Sequence, residues 1–257
     1  MFQREGAQRP DILNQILAGY LALVAGMVNS AGFLIVGSFT SHVTGNIGRF
    51  ADDLSLGNRS AAMLALAMVL AFFLGAFAAS FALESSLLRR RAHVYGSLLL
   101  TEAGLLLAFY ALSRLLRTDA PRLHDAQALV LCAAMGLQNC FVTRLSGAVV
   151  RTTHLTGIVT DLGIESARWF RFWRARLGGI TGLRLLAGDD LPAQPNWPKT
   201  ALLLTLVAFF VLGSAAGALL AVHAPRIVFI VPSALLIAAS FYAFASGTSL
   251  LRRFVRR

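Results

Sequence analysis

Acidic residues are scarce in this chain: twelve Asp and Glu stand against 23 Lys and Arg, and the four charged types together make up 14% of its 257 residues. So little charge excludes an ordinary soluble domain, which carries about a quarter. Hydrophobic residues reach 57% and mean hydropathy is +0.69, which is the composition of an integral membrane protein. The chain also lacks a Gly-rich phosphate loop, a nucleophile elbow and an HExxH pair, so no enzyme is expected. Its two cysteines, Cys132 and Cys140, share one apolar run with no His and Asp cluster beside them. They read as buried free thiols, and no metal or other cofactor is expected.

The net charge of +11 comes from arginines set between apolar segments, not gathered on a polar domain. They are expected to orient the chain in the lipid bilayer and not to hold nucleic acid. Six apolar runs can be marked: Ile12 to Val36, Ala61 to Leu83, Val94 to Leu112, Ala126 to Val142, Ala201 to Val222 and Ile227 to Leu251. A hydrocarbon core takes about 20 helical residues, and only helices satisfy their own backbone there, so each run is expected to be a transmembrane helix. The first run is too long for a signal-peptide core and has no small-x-small cleavage pattern, so it should stay. The fourth run ends in Gln138, Asn139 and Arg144, which predicts a helix that stops within the membrane; Pro232 predicts a kink in the sixth. With the N-terminus inside, the inner segments hold 17 Lys and Arg and the outer ones 6. That excess places both termini in the cytoplasm.

Two polar stretches follow the first and fourth runs: Thr40-Ser41-His42-Val43-Thr44-Gly45-Asn46 and Thr152-Thr153-His154-Leu155-Thr156-Gly157. Three further matches keep the same order. They are Gly26-Met27-Val28-Asn29 with Gly136-Leu137-Gln138-Asn139, Ala71-Phe72-Phe73-Leu74-Gly75 with Ala208-Phe209-Phe210-Val211-Leu212-Gly213, and Phe109-Tyr110-Ala111 with Phe241-Tyr242-Ala243. Each copy then holds three spans, and an odd number forces the second copy to enter from the opposite face. The expected fold is all-α, with six transmembrane helices as two inverted three-helix repeats, residues 1–118 and 119–257, broken or re-entrant after helices 1 and 4.

Such paired breaks free backbone groups and helix ends that can hold a polar or anionic ligand. The candidate solute-binding residues are Asn29, Ser30, Thr40, His42, Thr44, Asn46, Gln138, Asn139, Thr153, His154 and Thr156. Glu102 lies alone in the third run with no cation within a helical turn, and Asp161 follows the second Thr-Gly by one turn. Both are candidates for proton coupling, because an isolated carboxylate in hydrocarbon is costly when charged; His42 or His154 is the candidate partner for Glu102. The expected function is a secondary transporter of a small polar or anionic solute, with a midplane site between the breaks. A channel and a non-transporting scaffold are the alternatives.

Residues 164–199 read as a cytoplasmic amphipathic segment and linker. Trp169, Phe170, Trp173 and Leu177 share one arc and Arg168, Arg171 and Arg174 another, as in a helix lying among headgroups; Gly178, Gly179 and Gly182 read as flexible linker. Asp52 and Asp53 are expected in solvent. The small-xxx-small pairs Gly75/Ala79 and Gly213/Gly217 predict close packing between the halves, with a homodimer seam as the alternative.

Gly26-Met27-Val28-Asn29-Ser30-Ala31-Gly32-Phe33 leading to Thr44-Gly45-Asn46, then Glu102, then Met135-Gly136-Leu137-Gln138-Asn139 leading to Thr156-Gly157, resembles the YoaK family of small bacterial membrane proteins. The resemblance covers nearly the whole chain. It departs at Asn29, where the family's first motif often carries Asp, and at Ile158, which replaces the Asn expected after the second Thr-Gly. The resemblance implies a six-helix protein of the bacterial inner membrane and supplies no substrate.

Overall fold

The computed structural model describes residues 11–85, 91–115, 121–145, 152–180 and 195–254, and among these all regular structure is helical. Eight helices follow one another: α1 (Asp11–Val36), α2 (Val43–Ser55), α3 (Arg59–Glu84), α4 (Arg91–Leu115), α5 (Pro121–Leu145), α6 (Leu155–Ile180), α7 (Trp197–His223) and α8 (Ile230–Phe254). Five are long and apolar enough to cross a membrane, through Gln15–Val36, Arg59–Glu84, His93–Leu112, His124–Arg144 and Trp197–His223. The described apolar part of α8, Ile230–Ala245, is shorter. Helices α3 and α7 begin at asparagine caps, the Asn58 and Asn196 side chains accepting from the N–H groups of Ala61 and Lys199.

Three expectations are corrected. Helix α5 runs without interruption to Leu145, so Gln138 and Asn139 lie inside a helix; their side chains bond to backbone carbonyls of Leu21 and Met135 and leave the α5 ladder intact. Pro232 stands in the first turn of α8, where its missing N–H and preset φ suit the helix start, and it makes no mid-helix kink. Gly178 and Gly179 are helical, since α6 reaches Ile180. Gly182 and most of the linker lie outside the described residues.

The principal pairings join one half of the chain to the other. Helix α1 lies on α7, α3 on α5, and α4 on α8. Close contacts also set their directions. Gly19 meets Thr205 and Phe209, Gly213 meets Leu23 and Gly217 meets Met27, with both numbers rising together, so α1 and α7 are parallel. Gly75 meets Ala133, and further along Arg144 bonds to Ser80 and pairs with Glu84, so α3 and α5 are parallel as well. In contrast, Ser240 Oγ donates to Gly96 O at 2.8 Å while Phe109 meets Phe229, just before α8, with rings tilted and centroids 4.3 Å apart, which makes α4 and α8 antiparallel. Helices α1 and α5 are antiparallel too, because Gln138 reaches Leu21 whereas Leu131 touches Gly32.

The matched glycines carry matched contacts. A Cβ on Gly26 would strike the Phe210 carbonyl, and one on Gly136 would strike that of Phe72, which precedes Gly75 as Phe210 precedes Gly213. Likewise Gly213 abuts Leu23, and Gly75 abuts Ala133. Gly75 therefore faces α5, and Gly213 and Gly217 face α1, inside the chain. The third sequence match is different: Phe109 is buried whereas Phe241 is exposed, so these positions do not share an environment.

The core sits among α1, α4, α5 and α8, with Leu21, Val24, Tyr95, Leu99, Leu106, Met135, Phe141 and Leu236 fully enclosed. Helices α3 and α7 flank it, adding Ala79 and Leu202, Leu206 and Phe210, with only 22% and 33% of their apolar windows buried. Leu70, Phe73, Leu74, Phe77 and Phe81 on α3, and Val211, Leu212, Leu219 and Val222 on α7, form an exposed apolar surface suited to lipid.

Candidate functional site

Helix α1 ends because Gly37 turns left-handed at φ +75°, a conformation that costs glycine little. The chain then doubles back, and Ser41 Oγ donates to Asn29 Oδ1 at 2.9 Å. Asn29 lies seven residues before Val36, so this return reaches roughly 10 Å below the helix end. The second break repeats the contact: Thr153 Oγ1 donates to Asn139 Oδ1 at 2.9 Å. Thr40 and Thr152, their preceding neighbours, are buried, and the hydroxyl of each has no partner.

Gly45 and Gly157 are not helix breakers. Each lies in the first turn of the following helix, α2 or α6, beneath the imidazole three residues earlier. A Cβ at Gly157 would come within 2.7 Å of His154 Cε1, and one at Gly45 within 2.9 Å of His42 Cε1. The Thr-Gly pairing in both copies thus serves histidine packing. Both imidazoles remain exposed.

At the first break a cleft of about 290 Å³ opens beside α2. Its wall includes Phe33 and Phe39, stacked with centroids 4.2 Å apart, together with Ser38, His42, Asn46 and Arg49. Asn46 is 4% exposed, and Arg49 Nη1 donates to Ser38 Oγ at 2.7 Å. No residue of the second break lines this cleft.

The second break differs in charge. Asp161 takes the place of Arg49 and Ile158 that of Asn46. Fully buried Glu165 accepts from Arg168 at 2.7 Å and lies 3.2 Å from Lys199 Nζ, and Asp161 lies 3.9 Å from the same ammonium. Trp169 adds a bond to Thr200 at 3.2 Å and an edge contact with Trp197. These contacts fasten α6 to the start of α7, and Asp161 belongs to that partly solvated cluster.

Glu102 is completely buried near the middle of the His93–Leu112 segment, and neither carboxylate oxygen has a hydrogen-bond partner. No hydrogen bond joins it to either imidazole. Gln138 is also fully buried, its Nε2 donating to Leu21 O at 3.2 Å while its Oε1 is unpartnered. Ser30 is partly buried, and Thr44 and Thr156 are exposed. Asp52 is exposed and Asp53 partly so. Cys132 is buried and Cys140 half-buried, both free. Among the described residues no group of three His, Cys, Asp or Glu side chains could hold a metal.

The expected residues therefore form two similar clusters, Asn29 with Ser41 and Asn139 with Thr153, with Glu102 apart from both. Sequence reading passed over Arg49 and Glu165. For Arg49 the signal was there: it follows Asn46 by three residues, which puts both on one face of a helix.

Long apolar helices, polar groups drawn into the ends of two of them, and an apolar outer surface define a multi-pass membrane protein. The chain belongs to the family described as "Protein of unknown function (DUF1275)", which it matches over residues 17–239. No curated protein and no solved structure matches it.

Proposed function

We propose that the chain is a secondary transporter of a small polar or anionic solute, built from two inverted three-span repeats in the bacterial inner membrane with both termini cytoplasmic. The observation that carries this reading is that α1 and α5, which bear the matched breaks, run antiparallel and make matched contacts with α7 and α3. Antiparallel α1 and α5 follow from opposite insertion of the two copies; insertion in one sense would make them parallel. The levels of Asn29 and Asn139 along α1 are then roughly 10 Å apart, one on each side of the midplane.

Two half-sites that swap access to solution are the usual arrangement for alternating access. Thr40, Thr152 and Gln138 each supply a buried polar atom without a partner, groups that can take over contacts from a solute's water shell. Glu102 is the coupling carboxylate. Charging it unpartnered costs about 3 kcal/mol or more, so it exchanges a proton only when the cycle brings water or a cation to it.

The test is a solute screen by thermal unfolding of the purified protein, followed by flux into proteoliposomes. A ligand at a hundredfold its dissociation constant stabilises by about 2.7 kcal/mol. Flux faster than conformational cycling would make the protein a channel. No stabilising solute, together with a partner protein that co-purifies in fixed ratio, would make it a scaffold.

A further inference from the structure

The cleft at the first break has features that transport as such does not require. Arg49 brings a guanidinium to its wall, and its one described bond goes to Ser38. Asp52 and Asp53 follow on the same helix, yet no described carboxylate pairs with Arg49. A guanidinium carries five N–H donors in a rigid fork, so most remain free for a planar anion. Asn46 lines the same cleft, is 4% exposed, and its side chain has no hydrogen bond.

Helix α2 adds a third contribution. Its 13 residues begin at Val43 and the N-cap residue His42 gives no side-chain cap, so the first-turn N–H groups offer donors and the positive end of the helix dipole. The stacked rings of Phe33 and Phe39 line the same cleft. The second break has Asp161 and Ile158 in place of Arg49 and Asn46, so the guanidinium and the amide belong to the first copy alone.

We propose that this cleft binds a small organic carboxylate, its head held by Arg49, Asn46 and the start of α2 and its apolar part lying against Phe33 and Phe39. A cleft of about 290 Å³ suits a molecule of a few carbons up to one ring. The proposal deepens the transporter reading and rests on it for the solute's fate, but binding itself is measured without transport.

The experiment uses the full chain in detergent, unfolded by heat at constant ionic strength, with sodium acetate, butyrate, benzoate or phosphate replacing chloride. Butyrate and benzoate should raise the midpoint more than acetate. Arg49→Gln should weaken their apparent affinity at least tenfold, and Arg49→Lys, which keeps the charge and loses the fork, by less. Arg59→Gln, which removes the same charge at the start of α3, should bind as the parent does. If Arg49→Gln does not fold, the Arg49→Lys and Arg59→Gln comparison decides.

A shift that survives Arg49 replacement, or no carboxylate shift at all, overturns the proposal. So does an Arg49-dependent shift from phosphate alone. A second arm compares phosphatidylcholine vesicles with and without phosphatidylglycerol; an Arg49-dependent effect confined to the anionic lipid would make the cleft a headgroup site and overturn the solute. Arg49-dependent binding of a carboxylate that is never carried across proteoliposomes leaves the site standing and refutes the transporter. Flux of a solute that Arg49→Gln leaves unchanged, without carboxylate binding, does the reverse.

Discussion

Replacing Gly136 by alanine tests the exchange of helices between the halves with a single methyl group. A Cβ there would strike the Phe72 carbonyl, with the Phe72 carbonyl carbon at 2.8 Å and its Cα at 3.0 Å. These are backbone atoms of α3, so no rotamer change relieves the clash and the two helices must part by about 1 Å. Overpacking of this kind costs about 1–3 kcal/mol. Alanine's helix propensity returns about 1 kcal/mol of that, leaving a net loss of about 0–2 kcal/mol. Gly104→Ala is the internal control, because nothing lies within 4 Å of the added methyl; it should gain up to about 1 kcal/mol from propensity alone. The propensity gain is common to both, so the two variants separate by the overpacking cost, about 1–3 kcal/mol, in an equilibrium titration from detergent into dodecyl sulfate followed by tryptophan fluorescence. Gly26→Ala, opposed by the Phe210 carbonyl, should lose as much as Gly136→Ala. If Gly136→Ala matches Gly104→Ala, α3 and α5 do not meet through this glycine and the interlocked arrangement is wrong.

Glu102→Gln keeps the size of a buried side chain and removes its proton exchange, so it should purify normally, lose gradient-driven accumulation of a solute and retain exchange; wild-type accumulation in this variant would reduce Glu102 to a packing residue. Single cysteines at Ser55 and Ala187, in a chain without Cys132 and Cys140, should react with an impermeant maleimide from opposite faces of the membrane, and labelling from one face would dispose of inverted insertion. Asn29→Ala and Asn139→Ala each remove one side-chain bond to a break, a loss of about 0.6 kcal/mol for hydrogen bonds in membranes; a loss confined to one of the pair would show that the breaks are not equivalent.

Most of the spans were legible because hydrocarbon rewards unbroken apolar runs, and a hydropathy window sums that signal directly. The breaks were legible for the converse reason: Thr40 to Asn46 and Thr152 to Gly157 interrupt it with hydroxyls, imidazole and amide. Helix α2 escaped notice because only one face of Val43–Ser55 is apolar, and averaging over a window erases a helical stripe. Gln138 and Asn139 misled because side-chain amides look like helix ends, although inside α5 they find carbonyls within bonding distance. The glycines of the two Thr-Gly pairs were read as breaks, since a one-dimensional string does not reveal that an imidazole folds over each. Nor does it reveal that Asp161 turns to Lys199, or that Arg49 reaches Ser38, because those partners depend on how helices and turns dock.

Because α1 docks on α7 and α3 on α5, neither half is complete when it leaves the ribosome. A chain synthesised only as far as Leu145 has made α3 and α5 but not the partner of α1, so the Gly26 surface faces acyl chains until α7 is inserted. Assembly is therefore post-insertional: α1 waits in the bilayer until the chain has been extended past Leu145 to the end of α7 at His223. A gene cut within residues 116–120 would yield two fragments, one with α1 to α4 and one with α5 to α8, each without the helices on which its own dock. Expressed together they should interlock into one working unit, and expressed alone each should be degraded.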